Sequence, residues 1–538
     1  MEHAGRKGCY SEREVMGHKR HSSNPEDPRT VNGTVEEIAG LLLRCEDEGV
    51  APRYRSGESD PVRLETGGAD IFVVSDLHAA GGRNNSGVFG GTENFYADVA
   101  FRRFLDHAHH SLDGKSGVVV INGDFVDFLR IVSVPEPGEI GIWRQMLREV
   151  GIHKEKEALA SSISPDEREK YGLKTHDFKS VWKLHTCLEG HADLFDGLAE
   201  WLKRGHNIVL VKGNHDLEWY WPAVRNTLRL SLAKRISLRT RKPLMKILTK
   251  VVLPRLTFID DALILDQDLY IEHGHRYDKF SHVRGGPLWG DRREELNIPF
   301  GSFINRYLLN TLELVYPYLD NVRPAQNILH LLMRERFFLG LKILFCYVPF
   351  TVHMIPKRYA HYMFKPLVSY LLVLGLPLLV VLLLFWQRIG PLFGAGSAAV
   401  TPTVSDIVVQ YFLGMLKDGA LLFLSYVGAR FVSWVQLEEP ASLFSGAKEL
   451  FLMYPGCRYF TMGHTHNPEQ LIVDGQWYVN TSTWIPIVES SSAALREDRT
   501  YAVLRFARDH GGKITIHPLQ RWNDDACRWE ELVVVENK

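Results

Sequence analysis

Five short islands in this chain carry side chains that are oxygen and nitrogen donors. They are Ser75-Asp76-Leu77-His78, Gly123-Asp124, Gly213-Asn214-His215-Asp216, His273-Gly274-His275 and Gly463-His464-Thr465-His466. Carboxylates, imidazoles and a carboxamide together make a donor set for divalent cations. A two-metal hydrolytic centre needs one shared carboxylate, imidazoles at several corners and open positions for substrate. Two such ions hold a bridging hydroxide and clamp the oxygens of a phosphoester during in-line attack. A lone Asp-x-His or Gly-His-x-His says little; five such islands in series point to one site.

Each island ends or follows an apolar run of strand character, at 71–74, 118–122, 208–212, 269–272 and 459–462. Helical patterning fills the intervals. Residues 101–110 predict a crossover helix, and 141–205 predict polar-amphipathic helices ending near Gly205. Asp474-Gly475 sits between two apolar runs as a hairpin turn, and 501–506 and 513–517 read as two further strands. Strands dispersed among helices predict a layered α/β sandwich. Upstream, Thr34-Val35-Glu36-Glu37 has capping-box spacing before Ile38, Leu41, Leu42 and Cys45, so residues 1–68 read as a polar leader with one helix.

The order of the islands resembles the calcineurin-like metallophosphoesterase superfamily over residues 70–282 and 455–518. In motif style it is closest to the branch containing UDP-2,3-diacylglucosamine pyrophosphatases. The resemblance implies an α-β-β-α sandwich holding two divalent ions, manganese first, with iron, zinc or magnesium as alternatives. It implies that Asp76, His78, Asp124 and His466 hold one ion. Asp124 would bridge to a second ion held by Asn214, His273 and His464. His215 would stabilise phosphoryl oxygens or protonate the leaving group, oriented by Asp127. His273 is preferred over His275, which would point to the opposite side of a strand. Asp278 reads equally as a ligand support and as a loop acid. His107, His109, His110 and His153, outside the islands, read as solvated helix residues.

The domain reading is 1–68 leader, 69–282 first catalytic part, 283–450 a long apolar helical insertion, and 451–538 second catalytic part. Within the insertion, 366–386 is almost wholly apolar and long enough to cross a bilayer. A second apolar run, 407–432, carries Lys417-Asp418 at its middle, where charge is costly. His273 and His464 must reach one site, so the chain between them crosses the membrane an even number of times. Lys357, Arg358 and Lys365 before the first run place the catalytic side in the cytoplasm. Residues 219–259 contain no Asp or Glu but ten Lys and Arg, a pattern that predicts contact with an anionic membrane surface.

Lys+Arg of 63 against Asp+Glu of 64 gives no global pull toward nucleic acid, and no nucleic-acid partner is expected. Six scattered cysteines without Cys-x-x-Cys read as reduced thiols. The expected function is hydrolysis of a phosphate or pyrophosphate ester, lipid-linked, at the cytoplasmic membrane surface. The alternatives are a membrane-tethered phosphatase or nucleotide hydrolase for soluble substrates and a non-catalytic membrane scaffold.

Overall fold

The computed structural model describes residues 33–48, 60–163, 169, 171–289, 292–314, 322–323, 336–359, 368, 442–489, 494–495, 497–508, 513–532 and 534. The chain divides into two compact units, Met1–Met354 with Glu439–Lys538, and Ile355–Glu438. In the second unit, a short turn at Lys357–Tyr359 sets Arg358 over the Tyr359 ring. The apolar runs 366–386 and 407–432 lie outside the described residues apart from Val368. Among the described residues, no helix is long and apolar enough to cross a membrane.

The first unit is mixed α/β. Its strands are β1 (Val62–Leu64), β2 (Asp70–Val74), β3 (Gly117–Asn122), β4 (Asn207–Val211), β5 (Leu256–Ile259), β6 (Ala262–Leu265) and β7 (Leu269–Glu272). After the second unit come β8 (Tyr459–Met462), β9 (Glu469–Val473), β10 (Gln476–Asn480), β11 (Ala502–Arg508), β12 (Ile514–Ile516), β13 (Gln520–Asn523) and β14 (Arg528–Glu531). One sheet runs β14-β13-β11-β2-β3-β4-β5, with β12 paired to β11; the other runs β1-β6-β7-β8-β10-β9. Strands β2 to β5 are parallel, as are β7, β8 and β10, so their C-terminal ends open on one side of each sheet.

Continuous apolar strands are explained by burial on both faces. Ile71, Val73, Val118, Val120, Val209 and Val211 share one core with Leu263, Leu265, Leu269, Ile271, Tyr459 and Val479 of the second sheet. The alternate residues Phe72, Val74, Val119, Ile121, Ile208 and Leu210 pack instead against helices. Those helices include α2 (Asp98–Ser111), which matches the expected crossover, α3 (Ile140–Glu149), α4 (Lys156–Ser162), α5 (Asp177–Gly190), α6 (Ala192–Lys203) and α7 (Pro222–Thr240). On the far side of the second sheet, Tyr270, Phe460 and Tyr478 cover Ala447, Leu450 and Phe451 of helix Phe444–Met453. At about 1.5–3 kcal/mol for each large side chain buried, these faces hold the two sheets together.

Local signals in the sequence appear as expected. Helix α1 (Val35–Glu48) opens on the capping box: the Glu37 N–H donates to Thr34 Oγ1 (3.2 Å) and the Thr34 N–H to Glu37 Oε2 (2.8 Å). The β9–β10 hairpin turns through Asp474 (φ 51°) and Gly475 (φ 82°), the paired positive angles such a turn needs. The leader also supplies β1, paired in parallel with β6 at the edge of the second sheet, which the sequence reading omits.

The basic helix is largely internal. On α7, Arg225 and Arg229 pair with Glu46 of α1, Lys234 with Glu149 of α3, and Arg235 and Arg239 with Asp196 of α6. Its apolar residues Val224, Leu228, Leu232 and Ile236 lie in the main core. Only the stretch beyond it leaves basic side chains open, at Arg241, Lys242, Lys246 and Lys250. The expected solvation of stray histidines also needs correction. His107 packs on Trp522 and Trp529, and His109 contacts His206 at 2.8 Å, whereas His110 and His153 are exposed. Cys187, Cys346 and Cys457 are free thiols, but Cys527 is disulfide-bonded, which corrects the reading of all six as reduced.

Candidate metal centre

The islands meet because each leaves the C-terminal end of a parallel strand. Strand β2 delivers Asp76 and His78, β3 delivers Asp124 and Asp127, and β4 delivers Asn214 and His215. From the other sheet, β7 ends at His273 and β8 leads to His464 and His466. Two glycines are required by close approach. A Cβ at Gly123 would lie 2.2 Å from His273 Nδ1, and one at Gly213 would lie 2.1 Å from Asp124 Oδ1. The glycines therefore leave the space that the facing ligands fill.

Asp76, His78, Asp124, His464 and His466 all have φ between 50° and 70°. Non-glycine residues rarely adopt this left-handed region, and it persists where surrounding structure over-determines it. Here five backbone units are bent so that their side chains converge.

Three groups of donors could hold a metal ion, with all ligand atoms in each within 4.8 Å of one another: Asp76, His78 and His466; His78, Asp124 and His215; and Asp124, His273 and His464. His78 Nε2 lies 3.0 Å from His466 Nε2 and 3.7 Å from both Asp76 Oδ1 and Asp124 Oδ2. His466 Nε2 is 3.2 Å from Asp76 Oδ1. His273 Nε2 is 3.1 Å from Asp124 Oδ2 and 3.2 Å from Asn214 Oδ1. Asn214 thus joins the set as a neutral oxygen donor.

The outer nitrogens fix the inner ones. His78 Nδ1 lies 3.1 Å from Asp127 Oδ2, and His273 Nδ1 lies 2.9 Å from the Asn122 carbonyl oxygen. With those N–H groups donated outward, a neutral ring turns its Nε2 lone pair inward. Two buried nitrogens 3.0 Å apart with lone pairs facing each other are repelled unless a proton or a cation lies between them. Donors spaced at 3.0–3.2 Å, each at about 2.0–2.2 Å from one ion, subtend roughly 90° there, a plausible coordination angle. The residues present fit a cation.

The charge balance agrees. Burial opposes ionisation of Asp76, but His273, His466 and His78 lower its pKa; His273, His215 and His78 hold Asp124 well below the usual carboxylate range against the same penalty. Asp127 is likewise lowered, by His215 and His78. Burial pulls His273 down, yet Asp124 and Asp76 outweigh it and raise it from 6.5 to about 9. His78 and His215 are raised for the same reason, each against burial and each with Asp127 as a main partner. Lowered carboxylates beside raised imidazoles form a set whose protons a cation could replace.

His215 belongs to one of the three donor groups and also bonds beyond them. Its backbone N–H donates to Asp124 Oδ1 (2.8 Å), its Nδ1 meets Asp127 Oδ2 (2.9 Å), and its Nε2 faces Asn305 Nδ2 (3.3 Å). Asp127 therefore orients His215, as expected, and His78 as well. His464 Nε2 lies 3.2 Å from Asp278 Oδ2, which Ser281 Oγ also supports at 2.7 Å. That contact sets Asp278 behind the His464 ring. His275 lies beside His273, with ring centroids 5.5 Å apart, and falls in none of the three groups.

All nine residues singled out in the sequence thus come together. Several supports were missed. Asp216 caps the turn by accepting the N–H groups of Gly213 (2.6 Å) and Phe125 (2.9 Å); burial and the Asp124 charge push it up to about 7. Its signal was its place in the Gly-Asn-His-Asp island. Thr483 Oγ1 donates to the Asp76 carbonyl (2.7 Å) and Ser482 Oγ to the His466 carbonyl (3.2 Å), from a loop that carried no motif. Asn305 had no signal at all. A scan against protein-family models and a search of curated proteins returned no match for this chain.

Proposed function

We propose that this chain is a dinuclear-metal phosphoesterase that hydrolyses a lipid-linked phosphate or pyrophosphate ester at the cytoplasmic membrane surface. The observation that carries this reading is the convergence of seven N and O donors on one buried cleft, with Asp124 common to two of the donor groups. Asp76, His78, Asp124 and His466 would hold one divalent ion, and Asp124, Asn214, His273 and His464 the other. Bound there, the pair would supply a nucleophile from water at neutral pH and neutralise charge on the phosphoryl oxygens.

The chain's own residues supply the rest. Asp127 accepts a hydrogen bond from the Nδ1–H of His215 and leaves Nε2 on the side toward Asn305. In the cationic ring Nε2 carries a proton that can pass to the leaving oxygen or bond a phosphoryl oxygen. Manganese suits the mixed N/O donors, and iron, zinc or magnesium would also be accepted. The lipid-linked substrate and membrane location rest on the apolar runs 366–386 and 407–432, with the open basic residues Arg241, Lys242, Lys246 and Lys250 available to anionic headgroups.

Purified full-length protein assayed for manganese-dependent phosphate release tests this reading. Lipid-linked pyrophosphates, phospholipid monoesters and nucleotides should be compared with and without detergent micelles. The expected result is release from a lipid-linked substrate in micelles, abolished by His466→Ala. Equal turnover by wild type and His466→Ala would overturn the mechanism. Efficient turnover of soluble nucleotides alone would overturn the substrate class.

A further inference from the structure

The sequence assigns residues 283–450 to an insertion apart from the catalytic strands, yet its first helical segment is built into the cleft. Helix Phe300–Ile304 runs through a widened turn at Asn305–Leu309 into Asn310–Glu313. Widened turns of this type concentrate at functional sites. Buried polar contacts lock the segment down. Glu313 pairs with Arg130, both side chains wholly buried. Asn310 Nδ2 donates to the Leu129 carbonyl at 2.8 Å, and Arg306 bonds the Gly172 carbonyl. Breaking a buried pair such as Arg130–Glu313 leaves an uncompensated charge, so the segment has little freedom to leave.

Two of these anchors, Glu313 on Arg130 and Asn310 on Leu129, act on the loop that holds Asp127. Asp127 Oδ1 accepts the backbone N–H groups of Leu129 and Arg130, each at 3.2 Å. The contacts close a ring. Asp127 grips Nδ1 of His215, its loop grips the helical segment, and the segment returns Asn305 to Nε2 of the same imidazole.

We propose that Asn305 is a positioning residue for His215, delivered to the cleft by a segment outside the metal-binding islands. With Nδ1 committed to Asp127, the neutral ring offers a lone pair at Nε2 and the cationic ring an N–H. Asn305 Nδ2 faces that lone pair at 3.3 Å and can donate to it, which leaves the N–H of the cationic ring free for the leaving oxygen. Asn305 therefore fixes the imidazole plane of the neutral ring without adding charge. This inference rests on the reading that His215 acts on the leaving group.

The test compares Asn305→Ala and Asn305→Ser with wild type on an aryl phosphate, whose leaving group needs no proton, and an alkyl phosphate, whose leaving group does. The expected loss in kcat is about 10–100-fold on the alkyl ester, the usual cost of removing a supporting contact, with little change on the aryl ester. A carboxamide restored as Asn305→Gln should recover part of the alkyl activity. Metal content and Tm should match wild type. Equal losses on both esters, or loss of bound metal, would overturn the role. Should wild type cleave neither ester, the lipid-linked substrate screen judges the phosphoesterase reading separately, and NMR of the imidazole nitrogens decides the role of Asn305. An altered His215 Nε2 resonance in Asn305→Ser supports the contact, and an unchanged one overturns it.

Discussion

His78 and His273 both turn Nε2 toward Asp124, but their outer nitrogens are anchored differently. His78 Nδ1 meets the Asp127 carboxylate, which also takes Nδ1 of His215. His273 Nδ1 meets the backbone carbonyl of Asn122, a partner fixed by strand β3 and carrying no net charge. The first proposed cation position is thus coupled through one carboxylate to the residue proposed to handle the leaving group. The imidazoles of the second proposed position are supported without Asp127, His273 by the Asn122 carbonyl and His464 by the separate acid Asp278. A shared support ties ligand geometry to proton transfer, whereas a backbone support gives only geometry.

The most severe test removes what the two positions have in common. Asp124 Oδ2 approaches His273 and His78, while Oδ1 accepts the His215 N–H. Asp124→Asn should cut kcat by more than the roughly 10²–10³-fold that loss of one preorganised group costs. Metal analysis should find less than one ion per folded chain. Retention of both ions with near-normal turnover would mean that Asp124 does not join the positions.

Asp127→Asn and Asp278→Asn then separate them. Both keep shape and remove a charge behind an imidazole, and such changes typically cost about 10–100-fold in metal affinity or activity. Asp127→Asn should weaken one ion and also make turnover more sensitive to leaving-group basicity, because His215 loses the same partner. Asp278→Asn should weaken the other ion and leave that sensitivity as in wild type. Isothermal titration with manganese, paired with kinetics on the aryl and alkyl esters, reads both effects. Identical leaving-group profiles for the two variants would erase the distinction drawn between the positions.

What was legible beforehand follows from physical range. Strands β2, β3 and β4 are buried on both faces, so they read as apolar runs, and their ligands follow directly. The capping box at Thr34 and the turn at Asp474-Gly475 are interactions between residues at most three apart. The functions of α7 were not legible, because the acids that meet its arginines, Glu46 and Asp196, lie on other helices. Without those partners its charge pattern looked like a membrane face. Strand β1 is only three residues long, too short for alternation to register. Asn305 is a single carboxamide in an apolar stretch, and only the folded path from Asp127 through Arg130 and Glu313 gives it a meaning.

The smallest effect concerns protons at His273. In the metal-free protein His273 is raised from 6.5 to about 9 by Asp124 and Asp76, which outweigh its burial. A basic group with a raised folded pKa adds stability that is fully present below 6.5 and lost as pH rises through about 9. His78 and His215 shift in the same direction. The depressed carboxylates Asp76, Asp124 and Asp127 act oppositely: their contribution is present above the ordinary carboxylate range and fades only in acid, outside this window. The Tm of chelator-treated protein should therefore fall by a few degrees between pH 6.5 and 9. A bound cation replaces those protons, so its stabilisation should grow across the same interval. Differential scanning calorimetry at both ends, with and without manganese under argon, checks the sign. Because Asn122 anchors His273 by its main chain, Asp127→Asn should reduce the His78 and His215 share of the effect and keep the His273 share. A manganese-induced Tm shift that is equal at both pH values, or larger at pH 6.5, would show that the cation does not take the protons' place.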